Sequence, residues 1–219
     1  RARALWRRAG VRAPETPADF VLSRVSSRAF AQGLRPVEPR EERVDRPGFS
    51  RWNPPDVPVR VSLAHTCAGR GHWWSDDPSQ TRAVITRLLA RHPEVFVAPR
   101  VRVAREFALH GWLARDGALT LGWPTEQRVD PRSGSWRETL PTDALSRDAR
   151  EALEACAREA GESLGREGYF GPFGVDAFAY GNDDDSLRFC PRSEVNARYT
   201  MGWAVGMSRG APRPTDLLR

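Results

Sequence analysis

"PRSEVNARYTMGW", residues 191–203, decides how this chain is read. Arg192, Glu194, Asn196 and Arg198 occupy every second position, and residues two apart on a β-strand share a face. One face then carries two cations, a carboxylate and an amide, and the other carries Ser193, Val195, Ala197 and Tyr199. Spacing alone leaves two explanations open. The face is either a solvated edge whose charges neutralise one another, or a polar surface that holds something charged, because inward charges need partners.

The neighbouring segments bear on that choice. "GYFGPFG" (168–174) breaks a helical pattern, "VDAFAY" (175–180) is a strand, "GNDDDS" (181–186) a polar turn, and "LRFCPRSEVNA" (187–197) a returning strand. The Asp run at 183–185 is compatible with a metal loop, but Asn and Asp favour tight turns, so the hairpin is preferred. Antiparallel pairing around that turn brings Asp176 towards Glu194 and Asn196. Two carboxylates and an amide oxygen make a hard, all-oxygen set suited to Mg²⁺, which keeps its other positions for water and phosphate oxygens. Arg192 or Arg198 beside them would offset further phosphate charge.

At these residues the chain resembles the ATP-grasp superfamily: "GYFGPFGVDAF", a variable turn, then "EVNARYTMG" is similar to the metal-binding end of its carboxylate–amine ligases. The resemblance implies metal ligation by Asp176, Glu194 and Asn196, and handling of phosphate or acyl phosphate by Arg198 and Arg192. Upstream, "VPVRVSLAHTCAGRG" (57–71) resembles the family's strand and small-residue loop over the ATP phosphates. Main-chain N–H groups at Ala68, Gly69 and Gly71 carry little or no side chain to keep phosphate away. Without the downstream motif the same stretch is equally an ordinary loop with two glycines. "VFVAPRV" (95–101) resembles the interlobe hinge, which implies main-chain contacts to adenine around Val97 and Ala98. "ALWRRAGVRAPETP" (4–17) and "SRVSSRAF" (23–30) resemble the junction that precedes the ATP-binding region.

Three departures qualify the match. The position that usually supplies a Lys to the phosphates holds Ser62; Arg60, two residues earlier on the same strand face, is expected to point into the cleft in its place, although a planar guanidinium is not equivalent to an ammonium. The frequent acid at the hinge is Ala98 here, with Glu106 the nearest carboxylate to take a role. The family's usual N-terminal substrate domain is not recognisable.

The resemblance therefore implies an α+β fold: a two-lobed ATP-grasp domain of antiparallel sheets backed by helices, with the nucleotide between lobes. Residues 1–16 are expected to be a remnant of an upstream domain or a linker, and 17–219 the domain itself, with a first lobe at about 17–94 and a second at about 95–219. The implied activity needs ATP and Mg²⁺: a carboxylate is activated as acyl phosphate and attacked by an amine. The substrates are then small molecules, and a homodimer is compatible with this class. The alternative is a truncated, catalytically weak homologue that binds nucleotide or protein.

Composition narrows other classes. The chain has 219 residues, 40% hydrophobic, with eight Trp, enough for a real core. No apolar run approaches the roughly 18 residues of a membrane span. Net charge is +6, yet all 34 basic residues are Arg, scattered among acids as in "EPREERVDR" (38–46). That pattern fits codon bias better than a phosphate-binding stripe and argues against nucleic acid. The Arg-rich "RARALWRRAGVRAP" superficially resembles a transit peptide but lacks an initiating Met, and reads as the cut end of a longer chain. Three dispersed cysteines argue against a disulfide framework or zinc site and for a reducing cytoplasm. His65 and His72 are expected in an exposed, Gly-containing loop.

Periodicity predicts helices over 23–34, 79–91 (with Ser79 as N-cap) and 143–166. It predicts a strand over 57–64, a loop over 65–78, and a strand-rich region over 94–130 with a hairpin at Asp116-Gly117.

Overall fold

Period-2 alternation between 102 and 196 produces a six-stranded sheet backed by the longest helix, and a smaller sheet precedes it. The computed structural model describes residues 15–67, 70–130, 136–181 and 186–208. In chain order the elements are α1 (Asp19–Val25), α2 (Arg28–Gln32), β1 (Glu42–Asp45), β2 (Val59–Cys67), β3 (Arg70–Ser75), α3 (Pro78–Leu89), β4 (Glu94–Pro99), β5 (Arg102–Leu113), β6 (Leu119–Leu121), β7 (Thr125–Val129), β8 (Trp136–Pro141), α4 (Arg147–Arg166), β9 (Gly171–Gly181), β10 (Leu187–Asn196) and α5 (Trp203–Gly206). The four-stranded sheet has the order β1-β4-β2-β3 and the six-stranded sheet β10-β9-β5-β7-β8, with β6 pairing β5. The pairings are antiparallel throughout. The fold is α+β.

In the smaller sheet, Val59 and Val61 of β2 and Val95 and Val97 of β4 point towards α3, where Ile85 and Leu88 meet them. Each fully buried side chain of this kind contributes about 1.5–3 kcal/mol. Asp77 caps α3 by accepting from the Gln80 N–H, with Pro78 in the first turn. The expected cap, Ser79, instead donates to the Asp77 carboxylate.

The larger sheet packs Phe107 and Leu109 of β5 and Phe173 and Val175 of β9 against Leu153 and Leu164 of α4. Gly111 is required there, because a Cβ would lie 2.5 Å from the Phe173 ring. Ser146 caps α4 through its hydroxyl. Gly117, with φ at 88°, closes the β5–β6 hairpin in the left-handed region that glycine tolerates.

Several elements differ from expectation. The helix at 23–34 is two short helices separated at Ser26-Ser27, with Ser27 capping the second. Val21, Val25 and Leu34 from this region pack in the core of the larger sheet, although the first lobe was expected to begin at about 17. The loop over 65–78 is largely strand, because β2 and β3 extend as a hairpin towards 68–69. His65 therefore lies on β2 and His72 on β3 rather than in a loop, although His65 is exposed as expected. β1, β8 and α5 are additional elements. Among the described residues no helix is long and apolar enough to cross a membrane.

Candidate functional site

The faces turned away from the two helix-backed cores border a cleft of about 550 Å³. On the larger sheet, Asp176 is paired across the strands with Glu194 on one side and Ala108 on the other. Directly opposed residues on neighbouring strands share a face, so both carboxylates project to the same side. Both border the cleft. Asn196 lies two residues on and donates from Nδ2 to Asp176 Oδ2 at 2.9 Å. Arg198, just past the end of β10 and exposed, donates to Asn196 Oδ1 at 2.9 Å. Gln127 on β7 donates to the other Asp176 oxygen at 3.0 Å.

Burial, followed by the neighbouring Glu194 charge, pushes the Asp176 carboxyl up to about 7, despite the amides of Gln127 and Asn196 that favour the carboxylate. Glu106, on β5 and on the same face, is raised by burial and adds to the effect on Asp176. This is a wall with more negative charge than it can comfortably hold. A divalent cation would relieve it, and the donors fit: two carboxylates and one amide are oxygen ligands of the kind Mg²⁺ prefers. Ligation by Asn196 would require its amide to turn, because Nδ2 now faces Asp176. Among the described residues no group of three or more His, Cys, Asp or Glu side chains is arranged to hold a metal, so any such site depends on the amide and on a bound ligand's oxygens.

Arg192 behaves differently. Between Cys190 opposite Phe178 and Glu194 opposite Asp176, residues 191–193 face Ala177 alone, which makes a bulge. The alternation that would place Arg192 with Glu194 is broken there. Its guanidinium is buried, donates to the Arg35 carbonyl oxygen and feels the Glu159 carboxylate of α4. Arg192 borders the cleft without joining the acidic cluster.

The opposing wall comes from the smaller sheet. Arg60 on β2 borders the cleft, as does Ala98, its cross-strand partner on β4. Arg60 approaches Glu41 at 3.5 Å and feels the charge of Glu194; burial and neighbouring Arg28 lower its pKa. Arg28, which sequence reasoning did not single out, is a buried cation on α2 bonded to the same Glu41 at 3.1 Å. Two guanidinium groups thus share one close carboxylate, Arg60 at the cleft and Arg28 buried behind it. A Ser-Arg dipeptide opening a short helix gave no signal for it.

Ser62 is fully buried, and its hydroxyl bonds the His72 Nδ1 at 2.8 Å. Burial and the charges of Arg60 and Arg28 hold His72 down at about 4, so the imidazole is neutral. Gly71 has φ at 85° at the start of β3. Ala68 and Gly69 lie outside the described residues. Val97 points into the smaller core, and β1 pairs with the outer edge of β4 as far as Glu42 opposite Val97. Main chain at the hinge therefore faces the cleft only from Ala98 onward.

Comparison with known proteins identifies this arrangement of sheets. Solved structures resemble the chain over nearly all its length. They include D-alanyl-alanine synthetase A from Vibrio cholerae (TM-score 0.64, 12% identity, 99% of this chain and 69% of that one). They also include N5-carboxyaminoimidazole ribonucleotide synthetase from Thermus thermophilus (0.61, 22%, 94% and 54%) and biotin carboxylase from Campylobacter jejuni in a complex with a nucleotide (0.62, 12%, 94% and 47%). The chain spans about half to two thirds of the length of these structures. No protein-family model matches it, and no curated protein matches it in sequence.

Proposed function

The chain has the ATP-grasp fold, and we propose that its cleft binds Mg·ATP and activates a carboxylate as acyl phosphate for attack by an amine. The observation that carries this reading is the Asp176–Glu194 pair, on one wall of the cleft with Asn196, opposite Arg60, whose partner Glu41 is shared with the buried Arg28. One wall suits a divalent cation and the other suits phosphate.

In this reading a substrate carboxylate oxygen attacks the γ-phosphorus of ATP, and ADP leaves. The amine nitrogen then attacks the acyl carbon, phosphate leaves, and a proton is lost from nitrogen. Asp176, Glu194 and Asn196 would hold Mg²⁺, which supplies charge to offset the terminal phosphates when bound. Gln127 orients Asp176. Arg60 faces the phosphates, and Arg198, exposed at the end of the acidic wall, holds the carboxylate that becomes acyl phosphate. Ala98 and the main chain after it border the adenine end. Arg192 supports the bulge that sets Glu194 opposite Asp176 rather than meeting substrate itself.

The test is calorimetric titration with Mg·ATP, combined with substrate-dependent ADP release. Glu194→Gln removes a ligand charge with almost no change in volume. Its loss in turnover should exceed its loss in ATP affinity by about tenfold or more. Equal turnover by wild type and variant would overturn the site assignment.

A second reading, a nucleotide- or protein-binding homologue without ligase turnover, is favoured by Ser62: an uncharged, internally bonded side chain stands where the family's Lys is expected. ATP binding with no ADP release across carboxylates and amines would select it.

A further inference from the structure

Along the functional face of the larger sheet the cleft stops at the acidic cluster, and the surface beyond it is aromatic. On β9, Phe178 and Asp176 border the cleft. Towards the strand's start, Gly174 pairs with His110 and Pro172 with Trp112. The segment after Arg198 lies over this end: a Cβ on Gly174 would touch Thr200, and Trp203 Nε1 donates to the Gly111 carbonyl oxygen at 3.2 Å. Tyr199 meets Trp203 edge to face at 5.0 Å between centroids, and Trp203 meets Trp112 in the same manner at 6.3 Å. Tyr199 is 56% exposed and Met201 68% exposed. Arg198 joins the two zones, because its guanidinium bonds Asn196 Oδ1 and reaches the Tyr199 carbonyl oxygen.

We propose that this surface binds the acid substrate, a monocarboxylic acid with an aromatic or large aliphatic body: the carboxylate meets Arg198 and the apolar body lies over Tyr199 and Met201. The inference rests on the ligase reading for what the bound acid is used for. An acid to be phosphorylated must approach the acidic cluster from the side the nucleotide cleft does not occupy, and that side begins at Arg198. Exposed aromatic rings braced by further rings offer a flat apolar platform at little conformational cost. The described surface beyond Arg198 offers Tyr199, Met201 and Trp203, an apolar platform that suits an acid whose single charge meets Arg198.

The experiment uses 3-phenylpropanoate as the probe and succinate as the contrasting acid, with binding followed by ligand-observed NMR saturation transfer. Wild type should bind 3-phenylpropanoate saturably and succinate at least about tenfold more weakly. Tyr199→Ala should weaken 3-phenylpropanoate binding about tenfold, Tyr199→Phe should restore it, and Arg198→Met should abolish it. Tyr199 is exposed, so neither of its variants threatens folding. Absence of saturable binding, equal binding by Tyr199→Ala, or tighter binding of succinate overturns the inference. A parallel assay with ATP, Mg²⁺ and hydroxylamine, whose nitrogen displaces phosphate from an acyl phosphate to give a hydroxamate, separates this inference from the ligase reading. Hydroxamate from succinate but not from 3-phenylpropanoate overturns the substrate class and leaves the ligase standing. Tyr199-dependent binding without any hydroxamate supports the surface and counts against the ligase.

Discussion

Asp176 holds a carboxyl where burial and Glu194 favour its protonated form, and two histidines show the opposite bias. His72 and His110 are both held near 4 by burial, His72 also by Arg60 and Arg28. In the unfolded chain these imidazoles take up protons near pH 6.5, so the stability gained by keeping them neutral is complete above that pH and lost as pH falls towards 4. Asp176 runs the other way: its native carboxyl protonates near 7 and its unfolded one near 4, so acidification across that window favours the native state. Two losses outweigh one gain. Thermal unfolding of the metal-free protein should show lower stability at pH 4.5 than at pH 6.5, and Asp176→Asn, which lacks the compensating proton uptake, should show a steeper drop. An equal drop in wild type and variant would mean that Asp176 is ionised throughout. Spacing and the ExN pattern already grouped Asp176, Glu194 and Asn196, which the fold brings together on one face. The raised carboxyl of Asp176 was not legible in the sequence, because it arises first from burial and then from the Glu194 charge, both set by the folded packing of this face.

At the scale of elements, long periodic segments were readable and short ones were not. α4 carries apolar residues at helical spacing over five turns, and the β9–β10 hairpin is flanked by an unmistakable turn composition. β1 and β8 have four and six residues, too few for alternation to stand out, and their partners are chosen by sheet register instead. Arg192 was grouped with Glu194 because a bulge cannot be seen in an alternating string. The four-residue α5 is the extreme case: it holds its place by close backbone approach rather than by propensity. A Cβ on Gly206 would sit 2.5 Å from His110 Nδ1, and a Cβ on Gly122 would sit 2.2 Å from the Gly206 carbonyl oxygen, which accepts from the Trp123 N–H. Gly206→Ala should therefore lift α5 from the sheet and cost about 1–3 kcal/mol in urea unfolding, with a change in Trp fluorescence from Trp203 and Trp123. Wild-type stability in this variant would mean that α5 moves freely over His110.

For the whole molecule the question is how a chain without Lys presents positive charge at the cleft between its two sheets. Arg60 and Arg28 lie on or beside the smaller sheet's cleft wall and share Glu41, while Asp176 and Glu194 lie on the larger sheet's wall. Position 62, where the sequence resemblance led to the expectation of a Lys, is not an open slot waiting to be filled. Ser62 has no exposed surface, its hydroxyl is bonded to a neutral His72, and the nearby charges that act on His72 are both cationic. A Lys there would overfill the site and bring a third cation next to two guanidinium groups. Ser62→Lys should accordingly lower stability by on the order of 3 kcal/mol and leave Mg·ATP affinity no better than wild type. Arg60→Gln should fold normally and weaken Mg·ATP binding by about tenfold, because it removes the cation that faces the acidic wall. Differential scanning calorimetry and ATP titration on both variants measure the two effects separately. Tighter ATP binding by Ser62→Lys at wild-type stability would show that the phosphates lie over position 62 and that Arg60 does not take the place of Lys.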